Sequence, residues 1–399
     1  MRIIHTADWH LGQFFYNKSR AAEHQAFLEW LLARIEEHQV DALIVAGDLF
    51  DSGTPPSYAR ELFNRFVVAL QPTGCQLVVL AGNHDSVATL NESRALLACL
   101  NTQVITTPQA DHNLLLLRDR AGEPGALLCA IPYLRPRDIM RSRPGQSGRE
   151  KQLSLLEAIA AHYQRSVDAA RAHPLTLPVI ATGHLTTVGV SKSDSVRDIY
   201  IGTLDAFPAS AFPDVDYVAL GHIHRAQRVA NSDHIRYSGS PLPLSFDELG
   251  SEKSVFLVEL DNAGLQNVTA LPVPPFQPMK MLKGSLAQIE AQLAPFAAHE
   301  GEKPVWLDIE VTTEEFLSDL QRRIEALTAE LPVEVLLLRR SREQRQHSLA
   351  QLKNETLSEL KVEEVFARRI ALAEDIDETR QARLSDLFRS TLASLEESE

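Results

Sequence analysis

Seven side chains of metal-ligating type stand at the ends of apolar runs in this chain: Asp8, His10, Asp48, Asn83, His184, His222 and His224. An eighth residue, His84, lies beside Asn83 in Ala81-Gly82-Asn83-His84-Asp85, directly after the β-forming run 76–80. Asp-x-His and His-x-His put alternate residues on the same side of an extended segment, so each pair can face one site. Imidazole, carboxylate and amide oxygen together suit Mn²⁺, Fe²⁺ or Zn²⁺ rather than Ca²⁺ or a thiolate zinc. Seven ligands are too many for one such ion but suit two, with Asp48 as the natural bridge. Two ions about 3.5–4 Å apart can activate a water and hold a phosphate oxygen during in-line displacement. Each piece alone looks like a turn or a core histidine; the ordered set carries the reading.

The elements that must position these groups alternate. Runs 2–6, 42–46 and 76–80 read as buried strands, each ending at one of the polar groups. Between them, Phe27, Leu28, Leu31, Leu32 and Ile35 repeat at helical spacing over 20–38, and Leu62, Phe63, Phe66, Val67 and Leu70 do so over 57–70. A further helix starts at 87. This alternation argues for a parallel α/β sheet, in which polar groups at the carboxyl ends of strands gather on one edge. Runs 114–117 and 126–131 read as a meander, 154–171 as a helix, and 178–182 and 217–220 as strands ending at Gly183-His184 and Gly221-His222. Runs 235–238 and 254–260 read as antiparallel strands closing the domain. Pro272, Pro274, Pro275 and Pro278 mark a domain boundary. Beyond it, 279–338 reads β-α-β-α-β and carries no cluster of metal-ligand types. From 339 onward the chain is helical and charged, with a capping box at Asp375 to Glu378 and an apolar face of Leu384, Leu387, Phe388, Leu392 and Leu395. That face either packs back on the protein or docks on a partner helix.

The 399 residues are 44% hydrophobic and 23% charged, the composition of a soluble globular protein with a large core. A net charge of −14 argues against a free-standing nucleic-acid binder unless basic residues cluster near the site. Arg135, Arg137, Arg141 and Arg143, with Lys18 and Arg20, are the candidate phosphate contacts, the alternative being a solvated loop. Phe14, Phe15 and Tyr16 offer base stacking or core packing. Cys75, Cys99 and Cys129 lack C-x-x-C spacing and read as reduced thiols. No Gly-x-x-x-x-Gly-Lys-Ser/Thr stretch occurs, so no bound nucleotide is expected. The start of the chain has no apolar signal region and no run reaches transmembrane length; a soluble, cytoplasmic protein without membrane association is expected.

The ordered set Asp-x-His, Gly-Asp, Gly-Asn-His-Asp, Gly-His and Gly-His-x-His resembles the calcineurin-like metallophosphoesterase superfamily. Within it, His5-Thr-Ala-Asp-Trp-His-Leu-Gly12, Ala46-Gly-Asp-Leu-Phe-Asp51 and Gly221-His-Ile-His224 followed by Tyr237-Ser-Gly-Ser-Pro241 resemble the DNA-repair exonuclease branch. The resemblance covers essentially the whole chain and is least specific in the helical tail. It implies an α/β sandwich of two mixed sheets flanked by helices over 1–273, a small α+β domain capping DNA over 279–338, and a helical partner-binding segment over 339–399. One metal would lie on Asp8, His10, Asp48 and His224, and the second on Asp48, Asn83, His184 and His222. His84 would be the catalytic histidine that protonates the leaving oxygen, with Asp85 behind the ligands orienting them. The implied activity is Mn²⁺-dependent 3′→5′ exonuclease action on duplex DNA and endonuclease cleavage of single strands and hairpins. The implied partner is a coiled-coil ATPase docked on the tail through Leu384, Leu387, Phe388 and Leu392. A homodimer within a heterotetramer is implied too, with helices 57–70 and 87–100 as candidate surfaces. Metal ligands alone do not separate this reading from a phosphatase acting on a phosphomonoester.

Overall fold

The computed structural model describes residues 1–109, 113–140, 147–193, 195–196, 206–312, 319–340, 383–384 and 387–388. Two six-stranded sheets are stacked face to face. In the first, Arg2–Thr6, Ala42–Val45, Gln76–Leu80 and Thr102–Ile105 run parallel. Ser254–Asp261 pairs antiparallel with Arg2–Thr6 and with Gly264–Pro272 at the sheet edge. In the second, Leu114–Arg118 and Pro124–Cys129 form an antiparallel hairpin, and Pro124–Cys129, Val179–His184, Tyr217–Gly221 and Ile235–Tyr237 run parallel. The sheets are therefore mixed, as the family resemblance implied, and the strands that alternate with helices run parallel within the first of them.

Ile3, Ile44, Val78 and Val258 of the first sheet meet Leu128, Ile180 and Ala219 of the second between the layers. The alternate residues Ile4, Leu43, Val45, Leu77 and Val79 face outward onto helices Ala21–Glu37 and Ser57–Leu70 through Phe27, Leu31, Ile35, Phe63 and Val67. Helix Gly148–Arg171 covers the second sheet with Leu155, Ile159, Tyr163 and Val167. Burial on both faces explains why these strands read as unbroken apolar runs. His5 joins the layers: its Nδ1 accepts from the Tyr217 hydroxyl at 2.9 Å and its Nε2 donates to the Leu220 carbonyl at 3.2 Å. Burial lowers its pKa to about 3, so it is a neutral core histidine.

Four elements differ from expectation. Ile235–Tyr237 lies parallel to Tyr217–Gly221 because the edge strand Gln227–Arg228 reverses the chain between them, and Ser254–Asp261 belongs to the other sheet. Gly264–Pro272 was not anticipated; it is an edge strand whose Gln266, Asn267 and Thr269 side chains are polar. The helix after the asparagine loop is two short ones, Val87–Glu92 and Arg94–Ala98, meeting at Ser93.

Strands Met279–Gly284, Val305–Val311 and Val333–Arg340 form a separate parallel sheet in the order β-α-β-α-β with helices Leu286–Leu293 and Leu320–Thr328. Leu282, Ile289, Leu293, Leu307, Ile309 and Ile324 give it its own core. It is joined to the larger layers by Phe15, Phe246 and Trp306, with the Phe15 and Trp306 rings stacked at 5.7 Å. Lys18 adds an ion pair to Glu334 at 2.8 Å. In the tail, Leu384 and Phe388 are half-buried and Leu387 is exposed. Leu392, Leu395 and the capping box at Asp375 lie outside the described residues, as do Arg141 and Arg143. Among the described residues no helix is long and apolar enough to cross a membrane, and the three cysteines form no disulfide.

Candidate metal centre

The loops after Arg2–Thr6 and Ala42–Val45 are zipped together by backbone. Asp8 N–H donates to the Gly47 carbonyl at 3.0 Å, His10 N–H to Asp48 at 3.1 Å and Leu11 N–H to Leu49 at 2.9 Å. Asp8, His10 and Asp48 have φ of 55, 46 and 50°, and His222 has φ of 93°. Left-handed backbone is uncommon for non-glycine residues and persists where surrounding bonds over-determine it. Asp8 and His10 therefore converge through a tight left-handed turn, not from one side of an extended strand. Two glycines make room for the ligands. A Cβ on Gly47 would lie 2.1 Å from His184 Nδ1, and one on Gly82 would lie 2.1 Å from Asp48 Oδ1.

Asp48 Oδ1 accepts the backbone N–H of His84 at 2.8 Å, which turns Oδ2 toward His184 Nε2 at 3.2 Å and His10 Nε2 at 3.7 Å. Asn83 Oδ1 sits 2.9 Å from His184 Nε2 and 3.2 Å from His222 Nδ1. The Asp8 carboxylate accepts His222 N–H at 2.9 Å. Ligand atoms of Asp8, His10 and His224 lie within 4.8 Å of one another, as do those of Asp8, Asp48 and His184 and those of His10, Asp48 and His84. All eight residues named at the outset meet at one centre, six of them buried and Asn83 and His84 half-buried at its mouth.

This centre fits divalent cations. His10 Nε2 and His222 Nε2 are buried with no hydrogen-bond partner, and an unpaired buried nitrogen is costly unless something fills its lone pair. His184 Nδ1 donates to the Ala46 carbonyl at 2.9 Å, which aims its Nε2 inward. Burial opposes charge on His184, but Asp48 outweighs it and raises the pKa to about 9. His10 is raised too, Asp51 and Asp48 prevailing over burial. Asp48 is held well below the carboxylate range by His184 and His10 despite its burial. Asp8 is raised by burial, and His222 is pushed well down by burial and by His184.

His84 Nδ1 donates to the Asp51 carbonyl at 2.8 Å, so any proton exchanged with a substrate passes through Nε2. Asp85 lies beneath the ligands, its carboxylate accepting the N–H groups of Gly82, Leu49 and Phe50 at 2.9, 3.1 and 3.0 Å. Burial first, and then the charge of Asp48, raises its pKa to about 6.

Two residues at this centre were not read from the sequence. Asp51 Oδ1 meets His10 Nδ1 at 3.0 Å, and Glu248 Oε1 meets His224 Nδ1 at 3.2 Å. A carboxylate behind a ligand histidine fixes its tautomer and orientation. Asp51 had a local signal as the last residue of Gly-Asp-Leu-Phe-Asp; Glu248 had none.

The basic candidates separate. Arg20 is fully buried: it donates to Glu23 at 2.9 and 2.6 Å, Gln13 at 2.9 Å and the Pro243 carbonyl at 2.5 Å. It is a core ion pair and not a DNA contact, because Glu23, one helical turn on, draws it inward. Lys18 is engaged by Glu334. Phe15 is core, while Phe14 and Tyr16 are exposed. Arg135 donates through Nη2 to the Asp85 carbonyl at 3.4 Å and lies over the Tyr133 ring at 5.6 Å. Its Nη1 is buried without a hydrogen-bond partner, 4.0 Å from the Asp138 carboxylate. The Arg137 side chain is 80% exposed.

The calcineurin-like phosphoesterase family profile matches residues 1–226, and a profile described as "Type 5 capsule protein repressor C-terminal domain" matches 275–374. The chain is similar to the SbcD subunit of the SbcCD nuclease of Escherichia coli K12, at 63% identity over 99% of this chain and 98% of that protein. It is also similar to the corresponding SbcCD nuclease subunits of Rhodobacter capsulatus, at 39% over 71% of each chain, and Bacillus subtilis, at 31% over 80% of this chain and 81% of that one.

Proposed function

The chain belongs to the calcineurin-like phosphoesterase family, in the SbcD branch, and from that premise we propose that it is a two-metal DNA nuclease subunit. It degrades duplex ends 3′→5′ and cuts single strands and hairpins, working in the cytoplasm with an SbcC-type coiled-coil ATPase in DNA end processing for repair, recombination and replication. The observation that carries this reading is the pair of buried Nε2 atoms of His10 and His222, both without a hydrogen-bond partner, around Asp48, with His84 alongside.

Asp8, His10, Asp48 and His224 would hold one divalent cation and Asp48, Asn83, His184 and His222 the other, Mn²⁺ being favoured. When bound, the two ions supply Lewis-acid charge against the phosphate and a nucleophilic water at neutral pH. His84 hands a proton from Nε2 to the departing 3′-oxygen, its ring held by the Asp51 carbonyl. The left-handed turns at Asp8, His10 and Asp48 keep the ligands in place before substrate arrives, so little reorganisation is needed during the reaction.

Arg137, whose side chain is exposed, offers a contact to a DNA phosphate beside the site, and Arg135, packed against Tyr133 and Asp138, adds a second once its guanidinium turns outward. The domain over 279–338 covers DNA on the side of Phe15 and Trp306. Exposed Val68 and Leu96 support a homodimer face on the helices of 57–70 and 87–100. Leu384, Leu387, Phe388 and Leu392 in the tail dock on the ATPase.

The test is Mn²⁺-dependent degradation of end-labelled duplex, with and without co-expressed ATPase. Shortened duplex products are expected in both cases and more of them with ATP and the partner. Hydrolysis of p-nitrophenyl phosphate without any cleavage of DNA would overturn the reading in favour of a phosphomonoesterase.

A further inference from the structure

The motif Tyr237-Ser-Gly-Ser-Pro241 holds no metal ligand, yet it wraps closely around one. The His224 carbonyl accepts Ser240 N–H at 3.1 Å, and a Cβ on Gly239 would stand 2.8 Å from that same oxygen. Lys253 Nζ donates to the His224 carbonyl at 3.0 Å, to Ser240 Oγ at 2.8 Å and to Glu248 Oε2 at 2.5 Å. Glu248 in turn meets the His224 ring with Oε1, at 3.2 Å from Nδ1. One buried ion pair thus grips His224 at both ends, the lysine on its backbone and the carboxylate on its imidazole.

The remaining capacity of Glu248 is filled. Oε1 accepts from Ser193 Oγ at 2.8 Å and Ser195 Oγ at 2.5 Å, and Oε2 accepts from Leu244 N–H at 3.0 Å and Ser240 Oγ at 3.3 Å. Ser195 Oγ also lies 2.7 Å from His224 Nδ1. Because Ser195 donates its hydroxyl proton to Glu248, its oxygen accepts from the ring. Both routes, direct and through Ser195, call for a proton on Nδ1. Both leave Nε2 as the ring's lone-pair nitrogen.

A buried ion pair is a weak device for stability, since apolar side chains of similar volume often replace one without loss. Lys253 and Glu248 are 8% and 4% exposed, so desolvation is close to complete. What the pair does secure is a single tautomer and a single ring direction. We propose that Glu248, with Lys253 as its counter-ion, is the positioning residue that sets His224 to bind one of the two ions. This rests on His224 being a metal ligand.

The experiment uses the full chain, with Mn²⁺ binding followed by calorimetry and the histidine ring ¹⁵N shifts read in the metal-free protein. The His224 signals are identified by their loss in His224→Ala. Wild type should bind two ions and show His224 with its proton on Nδ1. Glu248→Ala should weaken one ion by about 10–100-fold and leave the other unchanged, and it should shift His224 toward the Nε2-protonated tautomer. Glu248→Gln, which keeps an acceptor oxygen, should fall between the two. The double variant Glu248→Met with Lys253→Met leaves no unpaired charge, so it should fold and show the same selective loss. Full affinity for both ions with an unchanged tautomer, in Glu248→Ala or in the double variant, would overturn the proposal. Equal weakening of both ions would overturn it as well. Two ions bound unchanged in His224→Ala would instead overturn the ligand assignment beneath it.

Discussion

The two ends of the metal centre are backed by different chemistry. Behind His10 and His224 stand the carboxylates of Asp51 and Glu248, at 3.0 and 3.2 Å. Behind His184 stands a neutral carbonyl, that of Ala46, at 2.9 Å. An anionic partner makes an imidazole more basic and holds its ring, so the first end is built to attract and fix a cation. A neutral carbonyl fixes direction with less gain in basicity. The first end should therefore bind its ion more tightly, and the second should exchange its ion more readily.

The largest effect should come where the distinction vanishes. Asp48 Oδ2 faces both ends, so Asp48→Ala should lose both ions and bring cleavage below detection, as should removing metal with a chelator. Two Mn²⁺ tightly retained in that variant would sink the bridging assignment. His84→Gln should lower turnover by about 10²–10⁴-fold while keeping both ions. Calorimetry showing an ion lost from His84→Gln would move His84 into the ligand set.

Proton linkage sharpens the comparison at the second end. His184 is raised to about 9 by Asp48 acting against burial, so in the metal-free protein it carries a proton at neutral pH. A cation must displace that proton, and calorimetry at about pH 7.5 in buffers of different ionisation enthalpy should show proton release. The sign for stability follows from a folded pKa above the unfolded value. The contribution of His184 is complete below about 6.5 and is lost as pH rises toward 9. Thermal unfolding of the metal-free protein should therefore show stability falling across that window, and saturating Mn²⁺ should abolish the trend. A flat profile without metal would argue against the His184–Asp48 pair. The smallest effect belongs to the periphery: replacing Arg135 and Arg137 together should reduce the salt slope of DNA binding by about two without changing metal affinity. An unchanged slope would remove both from the DNA track.

Legibility in the sequence followed distance along the chain. The ligands were readable because each ends a run whose apolar periodicity is local: Ala42–Val45 leads to Asp48, and Gln76–Leu80 leads to Asn83 and His84. Arg20 was misread because its burial depends on Pro243, more than two hundred positions away, as well as on the nearby Glu23. Ile235–Tyr237 was given the wrong direction because a two-residue edge strand, Gln227–Arg228, is too short to show any period.

By itself, then, the sequence determined the donor types, their order, and the strand ends that carry them, since hydrophobic period and turn residues act within a few positions. Only the tertiary structure decided how those donors are held. The left-handed turns at Asp8, His10 and Asp48 persist because adjacent loops bond to one another. The carboxylate of Glu248 reaches His224 because Ser254–Asp261 is paired into the first sheet, which draws Lys253 and the Tyr237-Ser-Gly-Ser-Pro241 segment around that histidine. Contacts of that kind arise from stacking two sheets, and no spacing within either strand encodes them.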